Sequence, residues 1–175
     1  GRGHADPRHD LMDAYSAHLR QVIADGIGGP KGDLPLAGFK IAVDAGNGAG
    51  GFFAHKVLAP LGADVSASRY LEPDGHFPNH IPNPENKEAM DAIRWSVVEY
   101  VCDLGLIFDT DVDRAGAVLA SGEELSRNRL IGLMAAIVAQ EAPGSVVVTD
   151  SVTSTELADF IQNTLGCVHH RFRRG

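Results

Sequence analysis

Three aspartates at alternate positions form the stretch of the sequence that is best equipped for chemistry. Asp109, Asp111 and Asp113 follow the apolar run of residues 104–108, and Arg114 comes directly after them. Side chains two positions apart in an extended segment point the same way, so the three carboxylates are expected to converge. Converging carboxylates repel one another, and a hard divalent cation with oxygen ligands relieves that repulsion. The spacing therefore predicts a Mg²⁺ site at the carboxyl end of a buried strand, although a solvated acidic turn would have the same spacing.

Two other kinds of acidic site have similar sequence patterns. An EF-hand loop needs glycine at its sixth position and glutamate at its twelfth, but counting from Asp109 these positions hold Arg114 and Ala120, which excludes it. A dehalogenase-type phosphatase also places Asp-x-Asp after an apolar strand. In that alternative, which stays open, Asp109 would be a nucleophile and Asp111 an acid or base.

A strand, a glycine-rich loop and a helix precede the aspartates and are typical of the opening of a βαβ unit. We expect the strand at residues 39–44 and the helix at residues 52–61. Gly46, Gly48 and Gly51 formally fit a dinucleotide-binding fingerprint. The expected second strand, residues 63–69, ends without the acidic residue that would hold a ribose hydroxyl. A tight strand-to-helix turn is therefore the favoured interpretation of the glycines.

The other elements follow from apolar periodicity and turn residues. We expect helices at residues 10–24, 85–98, 127–141 and 155–165, with Asn83 as a cap of the second, and strands at residues 104–108, 115–120 and 145–149. Residues 72–84 contain four prolines and no periodicity, which is typical of a functional or interface loop. His76 and His80 lie four apart in that loop, but the prolines disfavour a helix, so a zinc pair is not expected.

Length and composition indicate a globular α/β protein with 175 residues, of which 44% are hydrophobic. The expected fold is a mixed β-sheet flanked by helices at residues 39–120, preceded by a linker and lead-in helix at 1–38. The incomplete start of a second similar α/β domain follows at 121–175. The net charge of −8 argues against nucleic acid as a partner, and no apolar run is long enough to span a membrane. Cys102 and Cys167 are expected to be reduced packing residues.

Three ordered motifs resemble a known family. Residues 43–50, residues 73–78 with Pro82-Asn83-Pro84, and residues 108–114 resemble, in order and spacing, the second domain of the α-D-phosphohexomutases. That family includes phosphoglucomutase and phosphomannomutase. The resemblance runs from about residue 10 to the end of the chain, where the sequence is similar to the start of the family's third domain. Thr110 stands where most members have glycine.

The resemblance implies a four-domain enzyme that moves a phosphoryl group between the C1 and C6 oxygens of a hexose phosphate substrate. In that scheme a phosphoserine donates to the sugar, a bisphosphorylated intermediate reorients, and glucose 1,6-bisphosphate serves as activator. Asp109, Asp111 and Asp113 would hold Mg²⁺, and Arg114 would help to hold the phosphoryl oxygens. Arg173 or Arg174 would match a basic residue of the third domain at the substrate cleft.

The catalytic serine of the family is absent from this sequence. It lies in a Thr-Ala-Ser-His-Asn-Pro type of motif, and nothing here is similar to that motif. We therefore expect a fragment that lacks domains I and IV of its parent chain and is inactive alone, although a non-catalytic scaffold module derived from the mutase fold is an alternative. The expected location is the cytoplasm, with a plastid as the alternative.

Overall fold

The computed structural model describes residues 9–27 and 34–173. The chain divides into two compact units, Gly1–Glu124 and Leu125–Gly175. Cys102 and Cys167 are both buried free thiols. In the part of the chain that the structure describes, no helix is both long and apolar enough to cross a membrane.

The first unit is built on a three-stranded mixed sheet in the order β1-β2-β3. Its strands are β1 (Ile41–Asp44), β2 (Leu104–Phe108) and β3 (Ala115–Leu119). β1 runs parallel to β2, whereas β3 returns antiparallel to it. All four residues of β1 are buried, because apolar clusters cover both faces of the sheet. The predicted fold class, a mixed sheet flanked by helices, is confirmed.

Helix α1 (His9–Ile27) packs against an irregular helical stretch that follows β1. That stretch consists of a 3₁₀ turn (Ala49–Gly51), a π-helical segment (Phe53–Leu58) and a second 3₁₀ turn (Ala59–Leu61). The Lys56 Nζ atom lies 2.7 Å from the Asp13 Oδ1 atom of α1. The predicted helix at residues 52–61 is therefore helical but is not a regular α-helix. Pro60 has no N–H to donate, so the ladder of α-helical hydrogen bonds cannot continue through it.

Helix α2 (Lys87–Glu99) covers the other face of the sheet and buries Met90, Ile93 and Val97. Its cap is Asn86, whose side chain accepts a hydrogen bond from the Ala89 N–H at 3.1 Å. The prediction of Asn83 as the cap is wrong. The Asn83 side chain accepts instead from the Glu85 N–H, in the turn that precedes the helix.

Residues 63–69 do not form the second strand that was predicted. They make only isolated bridges to β1 and its neighbour, at Lys40–Asp64 and Asp44–Arg69. Between these bridges the Asp64 carboxylate accepts from the Ser66 N–H, and the Ser68 N–H donates to the Val65 carbonyl. These local hydrogen bonds close a turn, and an extended ladder cannot pass through it.

The second unit pairs two parallel strands with helices. It consists of α3 (Arg127–Glu141), β4 (Val146–Asp150), α4 (Thr155–Asp159) with a π-helical continuation (Phe160–Thr164), and β5 (Val168–Phe172). Its core is small and contains Ala135, Leu157, Ile161 and Cys167. The two-stranded sheet leaves Val146, Val148 and Phe172 about 60% exposed.

Candidate functional site

The three predicted aspartates lie in the loop of residues 109–114 that connects β2 to β3, here called the acidic loop. Each of Asp109, Asp111 and Asp113 offers a carboxylate oxygen, and these oxygens all lie within 4.8 Å of one another. Asp109 is buried, whereas Asp111 and Asp113 are exposed. The structure thus brings the three side chains together with one face open to solvent.

The aspartates converge because the loop is curved, and not because the chain is extended as the sequence argument assumed. Residues 110–113 form a continuous bend. The bend passes through Val112, whose φ of 67° lies in the left-handed region. The Thr110 carbonyl accepts a hydrogen bond from the Ala49 N–H at 2.9 Å, which ties the bend to the glycine-rich loop. The prediction of convergence was reached from the wrong backbone geometry.

Arg114 fixes the buried end of the acidic loop. Its backbone N–H donates to Asp109 Oδ1 at 3.1 Å, and its Nε donates to Asp109 Oδ2 at 2.9 Å. Burial alone would raise the pKa of the Asp109 carboxyl. The hydrogen bonds from the Arg114 backbone, Asp113 and the Arg114 guanidinium outweigh burial, so the pKa of Asp109 lies below its ordinary value. Asp109 is therefore a charged acceptor at neutral pH.

Asp113 has the opposite electrostatic environment. Its hydrogen bond with Asp109 and the negative charges of Asp111 and Asp109 raise the pKa of the Asp113 carboxyl, and Arg114 at 3.5 Å offsets this only in part. Crowded negative charge of this kind favours uptake of either a proton or a cation.

The acidic loop fits a magnesium ion. Mg²⁺ takes oxygen ligands at about 2.1 Å, so two ligands on opposite sides of the ion lie about 4.2 Å apart. The carboxylate oxygens, all within 4.8 Å of one another, need little movement to reach that arrangement. The two exposed carboxylates leave room for water or phosphate oxygens, which Mg²⁺ commonly keeps among its ligands.

The predicted basic residues have different positions. Arg114 contacts the aspartates, as described above. Arg173 belongs to the second unit, where it directly follows β5 and is exposed. Arg174 lies outside the described residues.

Close packing accounts for the glycines of the loop after β1. A β-carbon at Gly51 would lie 1.8 Å from the Leu71 carbonyl oxygen. One at Gly46, where φ is 52°, would lie 2.7 Å from the Pro82 β-carbon. The proline-rich loop of residues 72–84 and the segment before it thus approach the glycine-rich loop too closely for a side chain at Gly46 or Gly51.

A buried ion pair between Asp44 and His80 was missed by the sequence argument. His80 Nε2 lies 3.0 Å from both carboxylate oxygens of Asp44, and Asp44 Oδ1 also accepts from the Gly46 N–H at 2.8 Å. His80 Nδ1 faces the Ile81 carbonyl oxygen at 3.1 Å. Both ring nitrogens thus face acceptors, which requires the doubly protonated imidazolium. The hydrogen bond with Asp44 raises the pKa of His80 against the opposing effect of burial.

Further contacts join the proline-rich loop to its neighbours. The Asn79 amide donates to Asn47 Oδ1 at 2.7 Å, and the Asp74 N–H donates to the Asn47 carbonyl at 2.8 Å. Asn83 Oδ1 lies 3.5 Å from Arg114 Nη1 of the acidic loop. The glycine-rich, proline-rich and acidic loops therefore form one connected layer at the carboxyl ends of β1 and β2.

Comparison with known proteins gives consistent matches. The family model described as phosphoglucomutase/phosphomannomutase, alpha/beta/alpha domain II, matches residues 13–122. A phosphomannomutase/phosphoglucomutase of Pseudomonas putida is 37% identical over 159 residues, which is 90% of this chain and 32% of the relative.

Solved structures share the fold. A phosphoglucomutase/phosphomannomutase family protein of Burkholderia thailandensis superposes with a TM-score of 0.76 and 27% identity, covering 90% of this chain and 33% of that one. The Aspergillus fumigatus N-acetylphosphoglucosamine mutase in complex with GlcNAc-6P and magnesium has a TM-score of 0.61 over 92% of this chain and 34% of its own. Its identity of 14% shows likeness of fold alone.

The chain therefore spans about a third of the length of the Pseudomonas relative that it matches. The family model covers well over half of the chain, from within α1 to the turn after β3. On these grounds the chain belongs to the phosphoglucomutase/phosphomannomutase family.

Proposed function

We propose that this chain supplies the metal-binding loop of a phosphohexomutase that interconverts hexose 1-phosphate and hexose 6-phosphate. The observation that carries the proposal is the set of three carboxylate oxygens within 4.8 Å of one another, in a chain of this family. Asp109, Asp111 and Asp113 would hold Mg²⁺. When bound, the ion would neutralise negative charge on a phosphoryl group during transfer.

The residues around the ion have separable tasks. Arg114 holds Asp109 through its backbone N–H and Nε, which fixes one ligand before any ion arrives. The Arg114 side chain is 54% exposed, so the outer edge of its guanidinium can still donate to phosphoryl oxygens. Arg173 or Arg174 would bind the substrate at the cleft.

The remaining parts of the reaction would come from a longer polypeptide. In this proposal the parent chain provides a phosphoserine in domain I and a phosphate-binding domain IV, with glucose 1,6-bisphosphate as activator. The bacterial relatives favour a bacterial cytoplasm over a plastid. The Pseudomonas relative is about three times as long as this chain, which supports the existence of a longer parent chain. The exposed apolar sheet of the second unit supports it as well.

A dehalogenase-type phosphatase gains no support from the site. A nucleophilic Asp109 would have to reach a phosphorus atom, yet its side chain is only 2% exposed. Both of its oxygens accept hydrogen bonds from Arg114. No specific observation favours the scaffold alternative either.

The proposal is tested by titrating the chain with Mg²⁺ in a calorimeter and by assaying it for mutase turnover. We expect binding that is lost in Asp111→Asn and Asp113→Asn but kept in Asp25→Asn, which removes an exposed charge from α1. We expect no turnover of glucose 1-phosphate, even with glucose 1,6-bisphosphate added. Absence of Mg²⁺ binding would contradict the proposed metal loop, and turnover by this chain alone would contradict the requirement for a parent serine.

A further inference from the structure

Val112 combines a strained backbone with an anchored side chain. Its φ of 67° is disfavoured for any residue with a β-carbon and most of all for a β-branched one. Its side chain is nevertheless half-buried and packs against the apolar cluster that includes Val43 and Phe108. Such strain persists only where the surrounding structure imposes it.

We propose that Val112 is a positioning residue, whose packing against the core holds the acidic loop in the bend that brings Asp111 and Asp113 to Asp109. This inference rests on the proposed metal-binding function and extends it to a residue that has no ligand atom. A glycine would adopt the same φ at lower cost, but it could not reach the core.

The contacts of the loop show why an anchor is needed at this point. The loop is tied at its start by the hydrogen bond to the Thr110 carbonyl and at its end by the bonds between Arg114 and Asp109. Between these ties, Asp111 and Asp113 are exposed, and Val112 is the residue that packs against the core. The orientation of both exposed carboxylates thus depends on the backbone at Val112, since each is its direct neighbour.

Val101 provides a matched control in the same unit. It is also a valine in the left-handed region, with φ of 52°, but its side chain is 83% exposed. Val101→Gly therefore relieves the same kind of backbone strain without removing an anchor and without touching the acidic loop.

The test measures the dissociation constant of Mg²⁺ for the 175-residue chain and its variants by calorimetry. We expect it to rise roughly tenfold in Val112→Ala and Val112→Gly, the range found when residues that orient metal ligands are lost. Val112→Ile keeps a branched apolar side chain and should bind Mg²⁺ with nearly the wild-type constant, and Val101→Gly should leave the constant unchanged. Equal affinity of wild type, Val112→Ala and Val112→Gly would overturn the inference.

A second measurement separates this inference from the proposed function. Without metal, the amide order parameters of residues 111–113 should be near 0.85, the value typical of rigid backbone, and should drop in Val112→Ala. Values below about 0.6 in the wild type would overturn the anchor even if Mg²⁺ binds. A rigid wild-type loop that binds no Mg²⁺ would instead refute the proposed function and leave the anchor standing. If Val112→Gly does not fold, the comparison of Val112→Ala with Val112→Ile decides in the same way.

Discussion

Asp44→Asn is expected to destabilise the first unit at pH 6 and to become progressively less harmful as the pH rises. The Asp44 carboxylate is 1% exposed and faces the His80 ring at 3.0 Å. With the carboxylate present, His80 is an imidazolium whose raised pKa reflects that hydrogen bond. The introduced amide has no charge, but it can still accept from the Gly46 N–H and donate to the Nε2 atom of a neutral His80.

The magnitude follows from the hydrogen-bonding capacity of each protonation state. At pH 6 the substitution loses a hydrogen bond between charged groups, which contributes about 1.5 to 3 kcal/mol to stability. The stability given by a raised histidine pKa is fully present below the unfolded value near 6.5. It is lost as the pH rises through the folded value, at up to about 1.4 kcal/mol per pH unit. Above the unfolded value the cost of the substitution should therefore shrink with rising pH, because the neutral ring and the amide satisfy each other.

Urea denaturation followed by tryptophan fluorescence measures this effect. The sequence has a single tryptophan, Trp95, which lies in α2 of the first unit, so its signal reports the unit that contains the pair. Free energies of unfolding would be compared at pH 6, 7, 8 and 8.5 for wild type and Asp44→Asn. The matched control is Asp74→Asn, which removes the partner of the exposed His76 at 3.0 Å in the proline-rich loop.

The reasoning would be refuted by a cost for Asp44→Asn that is the same at pH 6 and pH 8.5. That result would mean that His80 carries no extra proton in the folded state. A cost for Asp74→Asn as large as that for Asp44→Asn would also contradict it, because burial would then have no influence on the strength of the pair.

Three further predictions concern the acidic loop, the glycine-rich loop and the second unit. Because its neighbours raise the pKa of Asp113, protons should compete with Mg²⁺. The calorimetric affinity should therefore begin to fall, as the pH is lowered, above the pH at which an ordinary carboxyl group titrates; affinity independent of pH would contradict this. Gly51→Ala forces a β-carbon against a backbone carbonyl and should cost about 1 to 3 kcal/mol or more in urea denaturation. Gly75→Ala meets nothing within 4 Å and should be neutral in the same assay, and equal costs for the two substitutions would contradict this. The chain should self-associate through the exposed sheet of the second unit, as measured by sedimentation velocity. The double substitution of Val148→Ser and Phe172→Ser should reduce this association. Unchanged association of the double variant would mean that another surface is responsible.

Elements with a strong local pattern could be predicted from the sequence almost to the residue. β2 was expected at residues 104–108 and α3 at residues 127–141, and the structure has them there. An unbroken apolar run indicates β2, and apolar residues at helical spacing indicate α3. The stretch at residues 63–69 also has a strand-like composition, but two local hydrogen bonds, from the Ser66 N–H to Asp64 and from the Ser68 N–H to Val65, fold it into a turn. Composition cannot tell which hydrogen bonds win such a competition.

In the candidate site, too, features with a local cause could be predicted and features with a long-range cause could not. The spacing of the three aspartates is local, so their convergence could be foreseen, even though the bend through Val112 rather than an extended chain produces it. The pairing of Asp44 with His80 joins residues 36 apart, across a loop with no periodicity, and no rule of spacing indicates it.

That long-range pair also bears on the site as a whole. Asp44 ends β1 where the glycine-rich loop begins, and His80 lies in the proline-rich loop. The first of these loops holds the Thr110 carbonyl through Ala49, and the second approaches Arg114 through Asn83. The acidic loop therefore contacts two loops that are joined by this buried ion pair and by the hydrogen bonds of Asn47. A sequence motif of three aspartates and an arginine specifies the chemistry, but its geometry depends on residues that lie outside the motif.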